Sequence, residues 1–505
     1  STNKLECIST QYIKLNQREV TLKLSNPEYQ IKPETVYGFN LLFDIAENNG
    51  FTYKSLDNNI ATVDEETGKV TANGLGRTYI ILKSKDAEDE ARVVINVIDD
   101  DKKVKEKVEA GNIHSLALKQ DGTIWSFGDN SQGEMGNGTI SSINTTEPTQ
   151  IVTGMYTEIK EEETEEGSTQ VTTTNIEVKL DNIKDIAAGY NFNLAVDSNG
   201  YVYSWGYNGY GQLGDNSTVS RSIPTRIEGL EKIKNVYSYG NTSMAINENG
   251  EIYVWGYGYN KVPTKLDFYS KAVDIHGKLI LAEDGSVWTL SLNPTKIAGL
   301  SNIVEVASGD NYYAALDTKG RVWVLGYNRY GQLSQANTSD VDTLTFVKVQ
   351  KETEYEVLQD IVELKAGKNS LQMISSNGDL YVSGYSSYGQ LGTGENKSSI
   401  TIATKAKNMD NTKFVDSNSY HSIASDNNGF VYTAGYNGYG ELGDGTYTST
   451  NEFNVIGDTY VHVEKNKVTI EEGKTKQIKA SLDNKFNLIK DTVAVSYTHL
   501  RAHET

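Results

Sequence analysis

The chain has 505 residues, and its 47 Lys and Arg stand against 67 Asp and Glu, which gives a net charge of −20 at neutral pH. This charge argues against a nucleic-acid partner, because binding to phosphates depends on Lys and Arg that displace counterions. The single Cys excludes an internal disulfide framework and a multi-cysteine metal site, and the lack of any run of about 18 apolar residues excludes a membrane-spanning helix.

Residues 1–98 are predicted to form a first all-β domain. They contain short stretches of alternating apolar and polar residues separated by turn residues, a pattern typical of a β-sandwich. The segment IATVDEETGKVTANGLGRTYIILKS at 60–84 resembles the bacterial Ig-like group 2 domain. The matching parts are IATVD at 60–64, GKVTA at 68–72 and Gly76, and ARVVINVID at 91–99 is the expected closing strand. Residues 99–103 are predicted to be a charged linker.

Internal repeats organise the middle of the chain. Seven Gly residues each close a short turn, at spacings of 78, 50, 35, 35, 58 and 51 residues. An aliphatic residue follows two positions after each Gly, and an aromatic residue three positions after it. Because adjacent strand positions point to opposite faces, both faces of this strand are apolar, as expected for a propeller blade between two neighbours. The predicted structural pairs are Gly122 and Trp125, Gly200 and Tyr203, Gly250 and Tyr253, Gly285 and Trp288, Gly320 and Trp323, Gly378 and Tyr381, and Gly429 and Tyr432.

A glycine-rich loop follows the aromatic strand in five of the units. It reads GDNSQGEMG at 128–136, GYNGYGQLG at 206–214, GYNRYGQLS at 326–334, GYSSYGQLG at 384–392 and GYNGYGELG at 435–443. With the preceding strand and turn, the unit resembles the regulator of chromosome condensation repeat. The resemblance covers residues 104–457 and implies a seven-bladed β-propeller. The third and fourth units depart from the pattern, because the loop is cut short after Gly256 and is lost near Ser291.

The end of the chain is predicted to hold part of a third domain. The segment NKVTIEEGKTKQIKASL at 466–482 resembles the opening strands of a second bacterial Ig-like group 2 domain, so residues 458–494 are interpreted as its N-terminal part. Such a piece cannot bury a core of its own, and we expect it to be poorly packed or to take contacts from the propeller. The last segment, VSYTHLRAHET at 495–505, looks like a translated sequencing adapter and is interpreted as a library scar. On this interpretation both natural termini are missing.

The predicted fold is therefore all-β: a seven-bladed β-propeller preceded by an Ig-like β-sandwich and followed by a truncated second Ig-like domain. No catalytic residue, metal site or cofactor is predicted, because no nucleophile elbow, metal-binding His pair or phosphate loop is present. His114 and His421 share one repeat position, and a hydrogen-bonding role is favoured over catalysis. The acidic insert TEIKEEETEE at 157–166 could attract a hard cation, but consecutive Glu on a hairpin do not converge, so a solvated hairpin is favoured.

Tyrosines of the glycine-rich loops are the candidate ligand-binding residues. Equivalent loops lie on one face of a propeller, where the rings could contact a protein or a sugar. Alternatively, each ring packs across the junction between neighbouring blades, and the two interpretations agree if the hydroxyl groups stay exposed. The candidates are Tyr207, Tyr210, Tyr327, Tyr330, Tyr385, Tyr388, Tyr436 and Tyr439, and the shortened third loop adds Tyr257 and Tyr259.

These features favour a secreted or cell-surface bacterial protein that binds or adheres without catalysis. The propeller would be the binding head and the Ig-like domains the spacers, with a protein or surface glycan as partner, no nucleic acid and a monomeric state. The alternatives are a secreted propeller that inhibits an enzyme and a polysaccharide-active enzyme. Guanine-nucleotide exchange on chromatin is disfavoured, because the chain is acidic and lacks a basic arm. The expected location is extracellular or at the bacterial cell surface.

Overall fold

A computed structural model describes residues 11–15, 19–37, 50–85, 90–98, 104–163, 169–457, 459–463, 475–484, 486–489 and 492–501. These residues form 43 β-strands and no helix. The predicted linker at 99–103 and the ends at 1–10 and 502–505 lie outside the described residues. The all-β prediction is confirmed for the part of the chain that the structure covers.

The N-terminal domain is a sandwich of small sheets around one core. A four-stranded sheet has the order β2-β9-β8-β5, a three-stranded sheet the order β3-β7-β6, and β1 pairs with β4. Buried Tyr53, Ile80, Leu82, Val93 and Ile95 belong to the shared core. The strands are β1 (Gln11–Leu15), β2 (Glu19–Lys23), β3 (Glu28–Gln30), β4 (Pro33–Tyr37), β5 (Phe51–Ser55), β6 (Ala61–Val63), β7 (Lys69–Ala72), β8 (Gly76–Ser84) and β9 (Glu90–Ile98).

Seven antiparallel sheets follow in chain order and form the seven blades of the predicted propeller. Blade 1 holds β10 (Lys107–Ala110), β11 (His114–Leu118), β12 (Ile124–Asn130) and β13 (Ser141–Ile151). Blade 2 holds β16 (Ile183–Ala188), β17 (Phe192–Asp197), β18 (Val202–Gly206) and β19 (Arg221–Arg226), and blade 3 holds β20 (Ile233–Tyr239), β21 (Thr242–Asn247), β22 (Ile252–Gly256) and β23 (Thr264–Lys265). Blade 4 holds only β24 (Ala272–His276), β25 (Leu279–Ala282) and β26 (Val287–Thr289).

The remaining blades are again four-stranded at their core. Blade 5 holds β27 (Ile303–Gly309), β28 (Tyr312–Asp317), β29 (Val322–Gly326) and β30 (Val341–Phe346). Blade 6 holds β33 (Ile361–Ala366), β34 (Ser370–Ser375), β35 (Leu380–Tyr385) and β36 (Ser399–Lys405), and blade 7 holds β37 (Thr412–Ser417), β38 (His421–Asp426), β39 (Val431–Gly435) and β40 (Thr450–Val455). The ring closes where Val108 and Ala117 of blade 1 pack in one cluster with Phe414 and Ile423 of blade 7.

Two blades are widened by hairpins inserted before their first strands. The hairpin β14 (Thr153–Glu163) and β15 (Thr169–Lys179) joins blade 2 through a parallel contact of β14 with β19. The hairpin β31 (Lys348–Lys351) and β32 (Glu354–Val357) joins blade 6 through β36 in the same way. Residues 157–163 of the acidic insert therefore lie in β14, and residues 164–166 are outside the described part of the chain.

The seven repeat glycines share one backbone conformation. Their φ angles lie between 72° and 85°, a left-handed region that residues with a Cβ rarely adopt. At six junctions the carbonyl of the Gly accepts a hydrogen bond from the first strand of the following blade, as from Ile183 to Gly122 at 3.0 Å. A Cβ on Gly378 would lie 2.6 Å from the Cα of Asn411, so the next blade packs directly against this turn.

At the seventh junction, a segment after blade 7 takes the place of the missing connection to blade 1. The Leu488 amide donates to the Gly429 carbonyl, and the Leu488 carbonyl accepts from the Gln120 amide, each at 2.9 Å. Phe486 lies 5.5 Å from the Trp125 ring, centroid to centroid. The strands around this segment, β41 (Thr459–Val463), β42 (Thr475–Asn484) and β43 (Thr492–Arg501), form one three-stranded sheet. The predicted C-terminal piece thus takes contacts from the propeller, and β43 runs across the predicted boundary at 494–495.

The N-terminal domain docks on the propeller beside blades 6 and 7. Arg77 forms an ion pair with Glu363, and both side chains are only 7% exposed. Arg77 Nη1 also donates to the carbonyl of Lys413 at 2.8 Å. Arg92 Nη2 donates to Asp360 Oδ1 at 2.9 Å, just before β33. The Arg77 guanidinium lies 5.3 Å from the ring centroid of Tyr79, and Tyr79 packs in one apolar cluster with residues of blades 6 and 7.

Candidate functional site

The glycine-rich loops lie at the same end of the blades as the turns between the first and second strands. Backbone hydrogen bonds join the two sets, from Tyr207 to Asn191 at 2.8 Å and from Tyr436 to Tyr420 at 3.0 Å. We call this end the glycine-loop face. The described residues of the N-terminal domain contact the other end, near the repeat glycines, through Arg92 and Arg77.

The loops are rigid because buried amide and carboxyl side chains close them. In blade 2, Asn208 Oδ1 accepts from the Leu213 amide at 2.9 Å, and Gln212 Oε1 accepts from the Tyr210 amide at 2.9 Å. In the same way, the Leu333 amide donates to Asn328 Oδ1 and the Leu442 amide donates to Asn437 Oδ1. These Asn and Gln residues are fully buried. The backbone that carries the tyrosines is therefore held in place by buried hydrogen bonds.

Each loop also locks onto the following blade. The carbonyl of Gln212 accepts both the Ser243 hydroxyl, at 2.7 Å, and the Trp255 indole, at 2.8 Å. Equivalent bonds run from Ser383 to the carbonyl of Gln332 at 2.9 Å and from Ser422 to that of Gln390 at 2.7 Å. The Gln or Glu of the loop motif therefore joins neighbouring blades, which explains why the second strand carries a small polar residue at this repeat position.

The candidate tyrosines form a chain of rings across blades 5 to 7. Tyr330 contacts Tyr385 at a centroid distance of 5.0 Å, Tyr385 contacts Tyr388 at 6.1 Å, and Tyr388 contacts Tyr436 at 5.3 Å. Tyr439 extends the chain at 6.2 Å from Tyr436. All four pairs are edge-to-face, an arrangement that aromatic quadrupoles favour. Tyr330, Tyr388 and Tyr439 remain 38–39% exposed, so the rings span the blade junctions and also reach solvent.

A shorter group of rings lies on blades 2 and 3. Tyr210 contacts Tyr207 at 6.2 Å and Tyr257 at 5.0 Å. Tyr327 stands apart from this group and carries the Arg329 guanidinium 4.8 Å from its ring centroid. The structure thus brings five of the predicted tyrosines into one chain and two into a second group with Tyr257, which lies in the shortened loop.

Sequence analysis missed Tyr420, which lies at the centre of the longer group. Its ring is 5.3 Å from Tyr388 and 6.3 Å from Tyr436. Tyr420 lies in the turn between β37 and β38, outside the loop motif, so repeat alignment on the glycine-rich loops could not find it. The only sequence signal is its position directly before His421. We call Tyr330, Tyr385, Tyr388, Tyr420, Tyr436 and Tyr439 the tyrosine array.

The two predicted structural histidines are buried between blades. His114 Nε2 lies 2.8 Å from Asn193 Oδ1, and His421 Nε2 lies 2.7 Å from the Ser115 hydroxyl. Burial, followed by the nearby His114, lowers the pKa of His421 to about 3, and burial lowers the pKa of His114. Both imidazoles are therefore neutral near pH 7 and hold blade 1 to its two neighbours.

The first strands place charged side chains around the propeller axis. Lys365 of blade 6 forms an ion pair with Glu305 of blade 5 at 3.1 Å, and it also interacts electrostatically with Glu109 of blade 1. Burial first, and then the charge of Glu109, raise the pKa of Asp416 to about 8. Burial raises the pKa of Glu305 to about 7 against the opposing effect of Lys365.

Acidic side chains of this axial region also join neighbouring blades. Their carboxyl oxygens accept backbone amides of the next first strand: Val236 donates to Asp185 at 3.0 Å, Leu364 to Glu305 at 2.9 Å and Ala110 to Asp416 at 2.7 Å. These bonds assign the axial acids to blade assembly. Among the described residues there is no group of three or more His, Cys, Asp or Glu arranged to hold a metal ion.

The described part of the chain also contains no helix that is long and apolar enough to cross a lipid bilayer.

Family comparisons agree with this geometry. Models of the regulator of chromosome condensation (RCC1) repeat match residues 199–246 and, separately, residues 106–134, 183–212 and 303–332. The bacterial Ig-like domain (group 2) matches residues 40–95. The fold and the matches together make this chain similar to propellers built from RCC1 repeats. It is also similar, over residues 40–95, to the bacterial Ig-like group 2 domain.

Individual relatives are more distant. The ultraviolet-B receptor UVR8 of Arabidopsis thaliana is 27% identical over 266 residues, which cover 52% of this chain and 54% of the receptor. The guanine nucleotide exchange factor SRM1 of Saccharomyces cerevisiae is 23% identical over 405 residues, covering 68% of this chain and 75% of SRM1. The crystal structure of Prp20p from S. cerevisiae superposes with a TM-score of 0.54 at 22% identity, covering 68% of this chain and 88% of that one. The chain thus spans about half of UVR8, and the structural likeness confirms the propeller fold.

Proposed function

We propose that this chain is a non-catalytic binding protein of the bacterial surface and that the glycine-loop face of its propeller binds a protein. The tyrosine array is the observation that carries this proposal. It offers several half-exposed rings on a rigid backbone, and Tyr is enriched in protein-binding surfaces because its ring gives a large contact area with a polar tip.

A protein ligand fits this surface better than a small sugar. The rings contact one another edge-on, so they form a continuous surface that crosses three blades and is wider than a single sugar ring. Prp20p, which has the same propeller fold, has binding properties to Gsp1p and histones, both of which are proteins. The net charge of −20 makes a basic ligand surface the favoured complement.

Placement at the cell surface is supported by the Ig-like domain. Domains of this family act as spacers in bacterial surface proteins, and Arg77 and Glu363 fix the domain at the end of the propeller opposite the tyrosine array. The spacer would therefore point the array away from the cell. Antibody labelling of intact source cells tests this placement: labelling only after permeabilisation would contradict it.

Binding is tested with the full chain on a panel of purified extracellular proteins and defined glycans. Saturable binding to a protein is expected. Saturable binding to a glycan alone would replace the protein ligand by a sugar, and turnover of a polysaccharide would contradict the absence of catalysis. Because SRM1 is an exchange factor, nucleotide release from a small GTPase is measured in parallel, and no acceleration is expected.

A further inference from the structure

One position of the glycine-rich loop is Gln in some blades and Glu in others. It is Glu in the loop of blade 1, which contacts blade 2, and in the loop of blade 7, which contacts blade 1. In the loops of blades 2, 5 and 6 the position is Gln212, Gln332 and Gln390, and in blades 1 and 7 it is Glu134 and Glu441. At every one of them a side-chain oxygen accepts the amide of the residue two positions earlier, over 2.8–3.1 Å. All five side chains are fully buried or nearly so.

The other terminal atom of the side chain, which is Oε1 in Glu441 and Nε2 in the Gln residues, distinguishes Glu441 from its Gln counterparts. Gln390 Nε2 donates to the carbonyl of Ser419 in the next blade at 3.1 Å, and Gln212 Nε2 donates to Asn241 Oδ1 at 3.3 Å. Glu441 Oε1 is buried without a hydrogen-bond partner among the described residues. A neutral carboxyl can place a proton on this oxygen and donate as Gln does, whereas a carboxylate can only accept.

Charged and titratable groups around Glu441 do not neutralise a negative charge there. Asp129 at the end of β12 acts on it with the same sign. His421 is neutral near pH 7, and so is His114, and Ser115 connects His421 to the Glu441 carbonyl by bonds of 2.7 Å and 2.9 Å. Burial raises the pKa of Glu441 to about 7, against the opposing effect of hydrogen bonds from the backbone amides of Glu441 and Tyr439, and Asp129 adds a smaller effect in the same direction as burial.

We propose that the protonation of Glu441 sets how firmly the blade 7 loop holds Tyr439 in the tyrosine array. Glu441 Oε2 accepts the Tyr439 amide at 2.8 Å, and its carbonyl accepts Ser115 of blade 1 at 2.9 Å, so one residue fixes both the ring and the junction. The neutral carboxyl keeps the loop closed. The charged carboxyl is better solvated when the loop opens, so the loop opens more often in alkaline than in mildly acidic solution.

The proposal deepens the proposed function, because an opening loop would loosen one end of the binding surface. The opening itself does not depend on any ligand. It is therefore tested by amide hydrogen exchange of the full chain at pH 5.5 and pH 8, in the peptide that covers residues 436–443. The difference between the native chain and E441Q at each pH removes the intrinsic pH dependence of exchange.

The native chain is expected to lose at least tenfold in protection relative to E441Q on going from pH 5.5 to pH 8. The loop around Tyr388, held by Gln390, is expected to show no such change, and Q390E is expected to transfer the pH dependence to it. Equal protection of the native chain and E441Q at both pH values would overturn the proposal. E441Q is compatible with the fold, because Gln stands at the same position of three other loops. Neither outcome of the exchange measurement depends on a bound ligand.

Discussion

The indole nitrogen Nε1 of Trp205 donates a hydrogen bond to the backbone carbonyl of Glu134 at 2.8 Å. Trp205 belongs to blade 2 and Glu134 to the loop of blade 1, and Asn193 Nδ2 donates to the same carbonyl at 2.9 Å. Trp205 has no exposed surface. This contact makes the glycine-rich loop a structural link between blades as well as the carrier of the tyrosines.

Replacing Trp205 by Phe is expected to destabilise the propeller. The change removes one buried hydrogen bond and leaves a space beside the loop, which lowers the free energy of unfolding by roughly 2–4 kcal/mol. Urea denaturation measures the loss. Trp288→Phe is the control, because Trp288 is only partly buried and bonds within its own turn, to Ser286 at 2.8 Å. An equal loss in both variants would show that the link between blades is unimportant.

The packing around the glycines predicts that Ala substitutions at two of them differ in their effect on stability. Gly378 has a φ of 85°, and a Cβ there would lie 2.6 Å from the Asn411 Cα, whereas Gly229 has a φ of 79° and open space around it. Gly378→Ala is expected to lower the melting temperature clearly more than Gly229→Ala, since strain in φ alone amounts to about 1–2 kcal/mol. Calorimetry of both variants compares them. Similar melting temperatures would mean that the next blade does not pack tightly on this turn.

The ion pair between Arg77 and Glu363 predicts how the two domains hold together. Arg77→Ala leaves the Glu363 carboxyl buried without its partner, and breaking such a pair lowers stability by roughly 3–5 kcal/mol. The variant is expected to release the N-terminal domain, which limited proteolysis between residues 98 and 104 detects. Lys351→Ala removes an exposed ion pair with Glu356 and should leave cleavage unchanged. Uncleaved Arg77→Ala protein would contradict the proposed docking.

The axial region predicts a pH dependence of stability. The pKa of Asp416 is about 8 in the folded chain, well above its ordinary value, so the folded state binds more protons than the unfolded state between about pH 4 and pH 8. Stability contributed by the neutral form is therefore lost as pH rises through this window. Asp416→Asn retains an oxygen that can accept the Ala110 amide, and is expected to raise the melting temperature at pH 8.5 while changing it little at pH 5.

Melting curves of the native chain and Asp416→Asn at both pH values test this prediction. The exposed Asp410→Asn serves as the control and should behave like the native chain. A variant that is less stable than the native chain at pH 8.5 would mean that the attraction of Asp416 to Lys107 and Lys365 outweighs the effect of burial.

Features that depend on short stretches of chain were predictable from sequence. The positions of the repeat glycines and of the loop tyrosines follow from local turns, since a hairpin or a loop of nine residues brings its own residues together. Features that join distant residues were not. Arg77 and Glu363 are 286 positions apart, and the axial acids come from different blades, so no local pattern connects them.

The C-terminal segment shows a signal that sequence analysis overlooked. Phe486 and Leu488 of the sequence FNLI at 486–489 belong to the apolar cluster shared by blades 1 and 7, and the Leu488 amide donates to a repeat glycine as the Ile233 amide does at the start of blade 3. Only the three-dimensional ring reveals that blade 1 lacks a preceding connection and that Leu488 supplies its hydrogen bonds.

The central claim is that the tyrosine array binds the ligand. Its most direct test is the dissociation constant of the full chain for the protein of the panel that binds most tightly, compared with a variant in which Tyr330, Tyr388 and Tyr439 are Ala. A control variant carries Ala at Tyr269 and Tyr355, which are exposed but lie outside the glycine-loop face. At least a hundredfold weaker binding by the folded triple variant, with native affinity of the control, is predicted. Unchanged affinity of the folded triple variant would contradict the claim.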